Sequence, residues 1–461
     1  MRSWKTAAAV VSGFIIALAC DLPVPRPSPS SPGVITERVL QLVERHFVRE
    51  IDTRELFEDG IDSMLRAIDR NTRYFAPDEV DAFEQDTEGF FVGVGVVLLP
   101  VEEDYPEIQE VIESGPAAAA GVEEGMRLLA VNGFDVRGLV LARVSERIQG
   151  PEGSWVHLRV RQEGTPEREL QVERRRVVIS SVGAVRLYGE EGGPRIGYVR
   201  LTQFQPGSAQ ETEAAVAALA RQGAAGVVLD LRGNGGGILE EAVEIAGLFL
   251  EEGLLMSTRG RFDLDRPRLY RVEEPGPFPG LPLAILIDGG SASASEVVAA
   301  ALQDHRRALL VGQESFGKWT VQRLLRLGSE AQNGLLKITT HSFHPPRGVG
   351  IRRDENGERL GLQPEVPVAT DEETDSALRV WWQGELYKRL NDPLRVDRYP
   401  SPAAHEGGNG DPLTDLSLEK AIALLSDVEG FRARLEAPAG VAARSPGSAT
   451  DPLPEAQARE Q

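Results

Sequence analysis

The chain is poor in residues that would support disulfide, metal or nucleic-acid chemistry. Cys20 is its only cysteine, so no disulfide partner exists for it. None of the six histidines lies in a pattern that suggests a general base, and His341 and His344 lack metal-ligand companions. Lys and Arg are also in the minority, because 71 Asp and Glu outnumber 50 Lys and Arg and leave a net charge of −21. This charge repels phosphate backbones, which argues against a nucleic-acid partner, and we expect no metal and no cofactor.

No apolar run at the start of the chain is long enough for a comfortable membrane span, which needs about 20 residues. Residues 7–19 are apolar and follow the basic residues Arg2 and Lys5, a pattern typical of a signal peptide. Cys20 comes directly after this run, where a lipoprotein signal places the residue that receives lipid. We expect a signal peptide over residues 1–20, a lipid anchor on Cys20 and an extracytoplasmic location, in a bacterial periplasm or cell envelope. Ordinary cleavage after Ala19 is the alternative.

The rest of the sequence predicts a multidomain α/β protein. Pro and Ser dominate the first segment, which is therefore an extended linker, and a Pro, Ala and Ser bias at the other end predicts a disordered tail. Between them, apolar residues first recur at helical spacing, then form short β-rich runs, and finally alternate between buried strands and helices, as in an α/β core with a largely parallel sheet. The predicted boundaries are 21–33 for the linker, 34–88 for a helical domain, 89–175 for the β-rich domain, 176–436 for the core and 437–461 for the tail.

The strongest chemical signal is the segment IDGGSASASE, which starts at Ile287. A strand ends in Gly289 and Gly290, three serines follow, and a helix begins at once. A serine at such a strand-to-helix turn is exposed and faces helix N-terminal amides, so Ser293, the central one, is the predicted nucleophile. Ser291 and Ser295 are expected to be turn and N-cap residues.

Because no histidine is suitably placed, the predicted base for Ser293 is Lys318. A lysine can accept a proton near neutral pH if burial lowers its pKa. Gln322, four residues later, lies on the same face as Lys318 and could hold the amine by a hydrogen bond. A Ser-His-Asp triad with His305 and Asp304 is the weaker alternative, since His305 should lie some three helical turns from Ser293. A phosphate loop around Lys318 is rejected, because Trp319 replaces the residue that would hold magnesium.

With these residues the chain resembles the C-terminal processing peptidases, or tail-specific proteases. In that family the middle serine of SASASE is the nucleophile, and a lysine and a glutamine complete the site; Ser293, Lys318 and Gln322 match those positions. The resemblance implies a crotonase-like serine-protease core and an oxyanion hole formed by the amides of Gly236, in the turn DLRGNGGG, and Ala294. The chain departs from the family at Trp319, where glycine is common, and at the segment HSFHPPRG, which helps to shape the cleft.

The β-rich domain resembles a PDZ domain in its order of elements and in the segments GVGV and ESGPAAAAGVEEGMRLLAVNG. In this comparison the first segment is the loop that binds a peptide's terminal carboxylate, while the peptide adds as a strand to the sheet. Polypeptides with apolar C-termini are therefore the expected substrates, and a homo-oligomer or an adaptor protein are further possible partners. The loop residues are Val92, Gly93, Val94, Gly95 and Val96.

Two other functional classes stay open at this point. One is a catalytically silent PDZ scaffold of the same fold, against which the retained Ser293, Lys318 and Gln322 argue. The other is a non-proteolytic acyl enzyme of crotonase-like shape, which would share the glycine-rich oxyanion turn but would bring no peptide-binding module. Cleavage of a polypeptide separates the proposed peptidase from both.

Overall fold

The computed structural model describes residues 31–436 except 102, 191, 262–265, 329–332, 349–350, 358, 388, 390, 402–404 and 407–411. The predicted signal peptide, Cys20, most of the linker and the predicted tail lie outside the described residues. The chain divides into two units, one up to Arg70 and one from Asn71 onward. None of the described helices combines the length and the apolar character needed to cross a membrane.

The described part of the smaller unit, from residue 31 onward, contains α1 (Pro32–His46) and α2 (Thr53–Arg66). Each begins at a polar N-cap: the Ser31 hydroxyl accepts from the amide of Val34, and the Asp52 carboxylate accepts from the amides of Arg54 and Glu55. Such side chains satisfy the amides that a helix start leaves without intrahelical partners. The predicted helical character of this segment is therefore present from its first residues.

The β-rich domain is a six-stranded sheet with two helices. The sheet order is β3-β4-β5-β7-β8, with β6 paired to β5. Inward side chains such as Ile108, Leu128, Val156 and Val172 form one apolar core, as expected for antiparallel strands that alternate between core and solvent. The elements are β2 (Phe90–Gly93), β3 (Val96–Leu99), β4 (Glu107–Val111), α4 (Pro116–Ala119), β5 (Arg127–Val131), β6 (Phe134–Asp135), α5 (Leu141–Ile148), β7 (Trp155–Arg161), β8 (Arg168–Glu173) and β9 (Arg175–Val178).

The first and last strands of the β-rich domain pair with each other. Its first strand, β2, pairs antiparallel with its last strand, β9, so that Phe90 lies opposite Val178. The Ile179 amide extends the pairing by donating to the Gly89 carbonyl. The chain therefore enters and leaves the β-rich domain through a two-stranded ribbon.

The core contains a seven-stranded sheet in the order β21-β16-β15-β12-β11-β10-β22, in which only the β10–β11 pair is antiparallel among the described strands. The predicted α/β core with a largely parallel sheet is confirmed. Its elements are β10 (Val182–Tyr188), β11 (Arg195–Leu201), α6 (Ser208–Arg221), β12 (Ala224–Asp230), α7 (Leu239–Gly247), β15 (Leu283–Ile287), α8 (Ala294–Asp304), β16 (Ala308–Gly312), β21 (Val366–Pro367), α9 (Glu372–Tyr387), β22 (Val396–Tyr399), α10 (Leu416–Ser426) and α11 (Val428–Glu436).

Both faces of this sheet are covered by helices. Leu283, Ile285 and Ile287 of β15 pack into one apolar cluster with residues of α6, α7 and α8. The intervening Ala284 and Leu286 pack into a second cluster with residues of α9, α10 and α11. Successive side chains of a strand point to opposite faces, so a sheet buried on both sides needs uninterrupted apolar strands, and these are the strands seen in the sequence.

A second, antiparallel sheet of five strands flanks the core within the described residues. Its order is β1-β18-β13-β14, with β17 also paired to β18. Within the predicted segment 34–88, β1 pairs with β18 and α3 follows β1, and the residues from Asn71 onward belong to the larger unit. The elements are β1 (Arg73–Phe75), α3 (Pro77–Glu88), β13 (Leu254–Gly260), β14 (Arg268–Arg271), β17 (Thr320–Arg326) and β18 (Leu335–His344), and the short strands β19 (Ile351–Arg353), β20 (Arg359–Leu362), β23 (His405–Glu406) and β24 (Pro412–Leu413) form two further pairs.

Candidate active site

The predicted nucleophile lies at the junction between β15 and α8. Ser293 occupies the N-cap position of α8 and is half-buried, with φ 57° and ψ −112°. A positive φ is uncommon for a residue other than glycine and persists only where the surroundings hold it. Such strained residues cluster at functional sites, so the backbone singles out Ser293 among the three neighbouring serines.

The two flanking serines have structural hydrogen bonds. The Ser291 hydroxyl donates to the Leu231 carbonyl at 2.8 Å, and the Ser295 hydroxyl donates to the Asn234 carbonyl at 2.8 Å. Ser291 is a turn residue, as predicted, whereas Ser295 lies inside the first helical turn and the N-cap position belongs to Ser293 itself. Both flanking side chains tie the serine turn to the glycine-rich turn after β12.

The glycine-rich turn lies directly against Ser293. Gly236 has φ +104°, and a Cβ built on it would lie 2.8 Å from the Ser293 Cβ and 3.0 Å from the Ala294 nitrogen. The Ala294 amide has no acceptor among the residues that the structure describes. The Gly236 amide, in contrast, donates to Asn234 Oδ1 at 2.9 Å. The structure therefore brings Ser293, Ala294 and Gly236 together, with one predicted oxyanion donor open and the other bound to a neighbouring side chain.

A buried charge cluster fixes the start of this turn. Asp230 is fully buried and accepts hydrogen bonds from the Tyr198 hydroxyl at 2.7 Å and from the Arg232 side chain at 2.6 Å. Arg232 also donates to Asp415, the N-cap residue of α10, at 2.8 Å and 2.7 Å. The guanidinium groups of Arg232 and Arg200 hold the pKa of Asp230 well below its usual range despite its burial. Both Asp230 and Arg232 are thus structural residues of the turn.

Lys318 is half-buried just before β17. Burial is the main cause that lowers the pKa of its ammonium group, and the positive charge of Lys337 lowers it further, while Glu296 opposes the shift. Desolvation disfavours the charged form of a lysine, so the environment favours the neutral amine that a general base requires. No hydrogen bond between Lys318 Nζ and Ser293 Oγ occurs within the described residues. Hydrogen bonds between catalytic groups are often long in structures without substrate and shorten when substrate binds.

Gln322 is directed toward two threonines. Its amide nitrogen donates to Thr320 Oγ1 at 2.9 Å and to Thr339 Oγ1 at 3.2 Å. Thr320 and Gln322 share one face of β17, and Thr339 lies opposite Gln322 on β18. The described residues show no hydrogen bond from Lys318 to Gln322. The role of Gln322 in holding the Lys318 amine therefore stays a prediction.

Glu296 is the main residue of this region that the sequence analysis did not assign to the site. Its fully buried carboxylate accepts from the backbone amides of Ser293 and Lys318, both at 2.8 Å. A serine followed three residues later by a glutamate is the capping-box spacing, which was the available signal. The contact to Lys318 could not be seen in that signal, because it depends on two separate segments meeting.

The histidines take part in other contacts. The His305 ring nitrogen Nε2 forms a hydrogen bond of 2.7 Å with the Leu254 carbonyl. Asp304 accepts hydrogen bonds from the backbone amides of Arg347 and Gly348. These contacts do not support the alternative triad of Ser293, His305 and Asp304. His344 contacts Ser342 and Arg359, and burial together with nearby arginines lowers its pKa to about 4. No group of His, Cys, Asp or Glu suited to a metal ion occurs in the described part of the chain.

The two segments that depart from the family pattern pack against each other. Trp319 is buried, its ring nitrogen donates to the Leu360 carbonyl at 2.8 Å, and its ring centre lies 5.1 Å from that of Phe343. Phe343 belongs to the HSFHPPRG segment. The bulk that replaces glycine after Lys318 is therefore accommodated by an aromatic contact.

The GVGV loop of the β-rich domain joins β2 to β3. The Val94 carbonyl accepts from the Ala117 amide at 2.9 Å, and the Gly95 carbonyl accepts from the Ile112 amide at 3.0 Å. The amides of Val94 and Gly95 have no acceptor among the described residues. Gly95 has φ +76°, which only glycine adopts without strain. The strand-like run of the sequence is thus interrupted by a loop whose carbonyls are bound inward.

Comparison with known proteins gives a consistent result. The model of the family described as "Peptidase family S41" matches residues 195–368. The carboxy-terminal-processing protease of Bartonella bacilliformis is 34% identical over 334 residues, which are 72% of this chain and 73% of that protein. The carboxyl-terminal-processing protease of a Synechocystis species is 32% identical over 352 residues, which are 75% of this chain and 79% of that protein. A solved photosystem II D1 C-terminal processing protease is 26% identical, covers 78% of this chain and 98% of its own, and has a TM-score of 0.41.

Proposed function

This chain belongs to peptidase family S41 and is a serine-type peptidase, and we propose that it cleaves unstructured polypeptides after binding their C-termini. Two relatives are named for carboxy-terminal processing, which supports this choice of substrate. The proposal depends most on one observation: Ser293, with a positive φ at a helix N-cap, is surrounded by Gly236 and the open Ala294 amide. We propose Ser293 as nucleophile and Lys318 as general base.

The mechanism that we propose is acyl transfer in two steps. The neutral Lys318 amine takes the proton of the Ser293 hydroxyl as its oxygen attacks the scissile carbonyl. The oxyanion that forms receives hydrogen bonds from the Ala294 amide and from the Gly236 amide, which exchanges Asn234 Oδ1 for the oxyanion. Lys318 then donates the proton to the leaving amine, and a water molecule hydrolyses the acyl-enzyme by the reverse path. Gln322 is proposed to hold the amine through its side-chain oxygen.

Substrate selection is assigned to the PDZ-like domain. The open amides of Val94 and Gly95 are suited to a terminal carboxylate, because backbone amides at a strand start can capture such a group. The peptide would then pair with β3, whose Val96 and Leu98 are partly buried against the apolar core of the domain. This arrangement favours substrates that end in apolar residues.

The envelope location is part of the same proposal. A signal peptide over residues 1–20 and lipid on Cys20 would place the peptidase outside the cytoplasm, tethered to a membrane. Incorporation of labelled palmitate into the wild-type protein, and its loss in Cys20→Ser, is the expected result in cells that process lipoproteins. Equal labelling of both forms would contradict lipidation at Cys20.

The decisive experiment is digestion of an unfolded protein with an apolar C-terminus by the purified chain, beside Ser293→Ala. We expect cleavage by the wild type only, and labelling of Ser293 by a serine-reactive phosphonate that persists in Ser295→Ala. A C-terminally amidated copy of the substrate should be cleaved more slowly, because it lacks the carboxylate. Peptide binding without any cleavage would instead favour the silent scaffold.

A further inference from the structure

Glu296 lies in the first turn of α8, three residues after Ser293, and its side chain is fully buried. A single oxygen atom, Oε2, accepts from the backbone amide of Ser293 and from the backbone amide of Lys318, each at 2.8 Å. The backbones of the proposed nucleophile and the proposed base thus meet at one atom. Ser293 and Lys318 otherwise belong to separate elements, the start of α8 and the approach to β17.

The other carboxylate oxygen holds the loop that carries Lys318. Glu296 Oε1 accepts from the Ser315 hydroxyl and from the Gly317 amide, each at 2.6 Å. Ser315 Oγ in turn accepts from the Leu362 amide at 2.8 Å, which joins this loop to β20. The four groups that contact the Glu296 carboxylate all donate to it. An ionised carboxylate can accept them together, whereas a carboxamide of the same shape would turn an N–H group toward two of the donors.

The backbone at Ser293 and the backbone next to Lys318 both adopt conformations that need contacts with neighbouring groups to persist. The φ and ψ of Ser293 are unfavourable for a residue with a side chain, and Gly317, directly before Lys318, has φ +86°. Conformations of this kind persist only where neighbouring groups hold them. The backbone of each residue sets where its side-chain atoms reach, so the distance from Ser293 Oγ to Lys318 Nζ depends on a common anchor.

We propose that Glu296 is a positioning residue of this peptidase, whose carboxylate holds the backbones of Ser293 and Lys318 in the relative position that proton transfer requires. This inference rests on the proposed function, since it assumes that Ser293 and Lys318 are the reacting pair. Glu296 touches neither the substrate nor the transferred proton in this proposal.

The charge of Glu296 also has a measurable electrostatic effect. Among the described residues, Glu296 of α8 and Lys337 of β18 act on Lys318 by charge. The negative charge of Glu296 raises the pKa of Lys318, whereas burial and Lys337 lower it. Glu296→Gln should therefore lower the pKa of Lys318, and the rising part of the pH–rate profile should move to lower pH. This displacement reports the charge of Glu296 near Lys318, whereas a loss of positioning is measured by a fall in kcat at the pH optimum without a change in KM.

Glu365 provides a matched control. Glu365 is exposed as a residue, whereas Glu296 is fully buried, but desolvation of the Glu365 carboxylate raises its pKa in the same direction as for Glu296. Glu365 accepts from the Leu310 amide at 2.9 Å and from the Gln303 side chain at 2.8 Å, so it supports the same helix from the end far from Ser293. Glu365→Gln therefore tests loss of a hydrogen-bonded carboxylate on the same helix without a change at the reacting pair.

The experiment measures kcat, KM and the pH dependence of kcat/KM for wild type, Glu296→Gln and Glu365→Gln. We expect kcat of Glu296→Gln to fall about 100-fold with little change in KM, because small displacements of reacting groups have effects of this size. The rising limb should move to lower pH in Glu296→Gln alone. A folded Glu296→Gln enzyme with wild-type kcat and an unmoved limb would overturn the proposal.

Ser315→Ala is the second variant, in case Glu296→Gln does not fold. It removes one of the donors to Glu296 and leaves the carboxylate in place. We expect a fall in kcat of about 10-fold with KM unchanged, in keeping with partial loss of positioning. Unchanged kcat in Ser315→Ala would count against the role of Glu296. Absence of cleavage by the wild type would instead reject the proposed function, so the two failures are distinguishable.

Discussion

A methyl group on Gly236 would come within 2.8 Å of the Ser293 Cβ and of the Ala292 carbonyl oxygen. Gly236→Ala should therefore displace the glycine-rich turn from Ser293, the proposed nucleophile, and the φ of +104° at position 236 adds strain for any residue with a side chain. We expect kcat to fall about 10²–10³-fold, the range seen when an oxyanion donor is lost. Gly235→Ala is the control, because Gly235 is exposed and a Cβ there meets nothing within 4 Å. Equal activity of the two variants would contradict the assignment of Gly236.

The activity of the wild type should rise with pH as Lys318 loses its proton. Burial lowers the pKa of this lysine, so the midpoint should lie below the ordinary lysine value of about 10.4. Initial rates of peptide cleavage from about pH 6 to pH 9 would show the rise. A flat profile over this range would argue against a lysine base.

Replacement of Lys318 by Met should abolish cleavage and stabilise the fold. The folded-state pKa of Lys318 lies below its unfolded value, so the unfolded chain binds the proton more tightly. The resulting penalty is fully present below the folded pKa and disappears as the pH rises through the unfolded pKa. Lys318→Met should thus have a higher free energy of unfolding than wild type at neutral pH, with a difference that shrinks toward alkaline pH. Denaturant unfolding at several pH values measures this, and lower stability at neutral pH would contradict it.

Binding of the substrate C-terminus should depend on Gly95. Alanine at φ +76° costs about 1–2 kcal/mol in local conformation and should distort the amides of the loop. We expect KM for a substrate with a free C-terminus to rise about 10-fold in Gly95→Ala, with kcat little changed. Gly133→Ala is the matched control, because Gly133 has φ +78° in a turn of the same domain and open space around it. A similar rise in KM for both variants would remove the loop from substrate binding.

The buried ion pairs that Arg232 forms with Asp230 and Asp415 should contribute more to the free energy of unfolding than an exposed ion pair does. Asp415→Asn removes one carboxylate from Arg232, whose side chain is only 12% exposed, and should lower the free energy of unfolding by about 3 kcal/mol. Glu84→Gln breaks the exposed pair with Arg326 and should cost less than about 1 kcal/mol. Chemical denaturation compares the two variants. Equal losses would mean that burial does not set the strength of the Arg232 contacts.

The motifs predicted that the serine turn and the glycine-rich turn lie together at the proposed active site. The apolar strands identified the parallel sheet, and the glycine and serine turns after β12 and β15 meet because parallel neighbours end at the same edge. Local spacing could not show that Glu296 reaches Lys318, or that Asn234 binds the Gly236 amide. Nor could it show that β1 pairs with β18, since helical spacing before and after β1 concealed a three-residue strand. Contacts of this kind depend on how distant segments meet.

The ribbon of β2 and β9 gives the PDZ-like domain a single stem. Phe90 pairs with Val178, so the two chain segments that connect the domain to the core lie side by side, outside the six-stranded sheet of the domain. A domain inserted in this way can be shortened, exchanged or grafted without rerouting the strands that carry Ser293 and Lys318. If the proposed function is correct, exchange of this domain through the two-stranded ribbon should change which peptides the protein binds while the strands next to Ser293 and Lys318 stay in place.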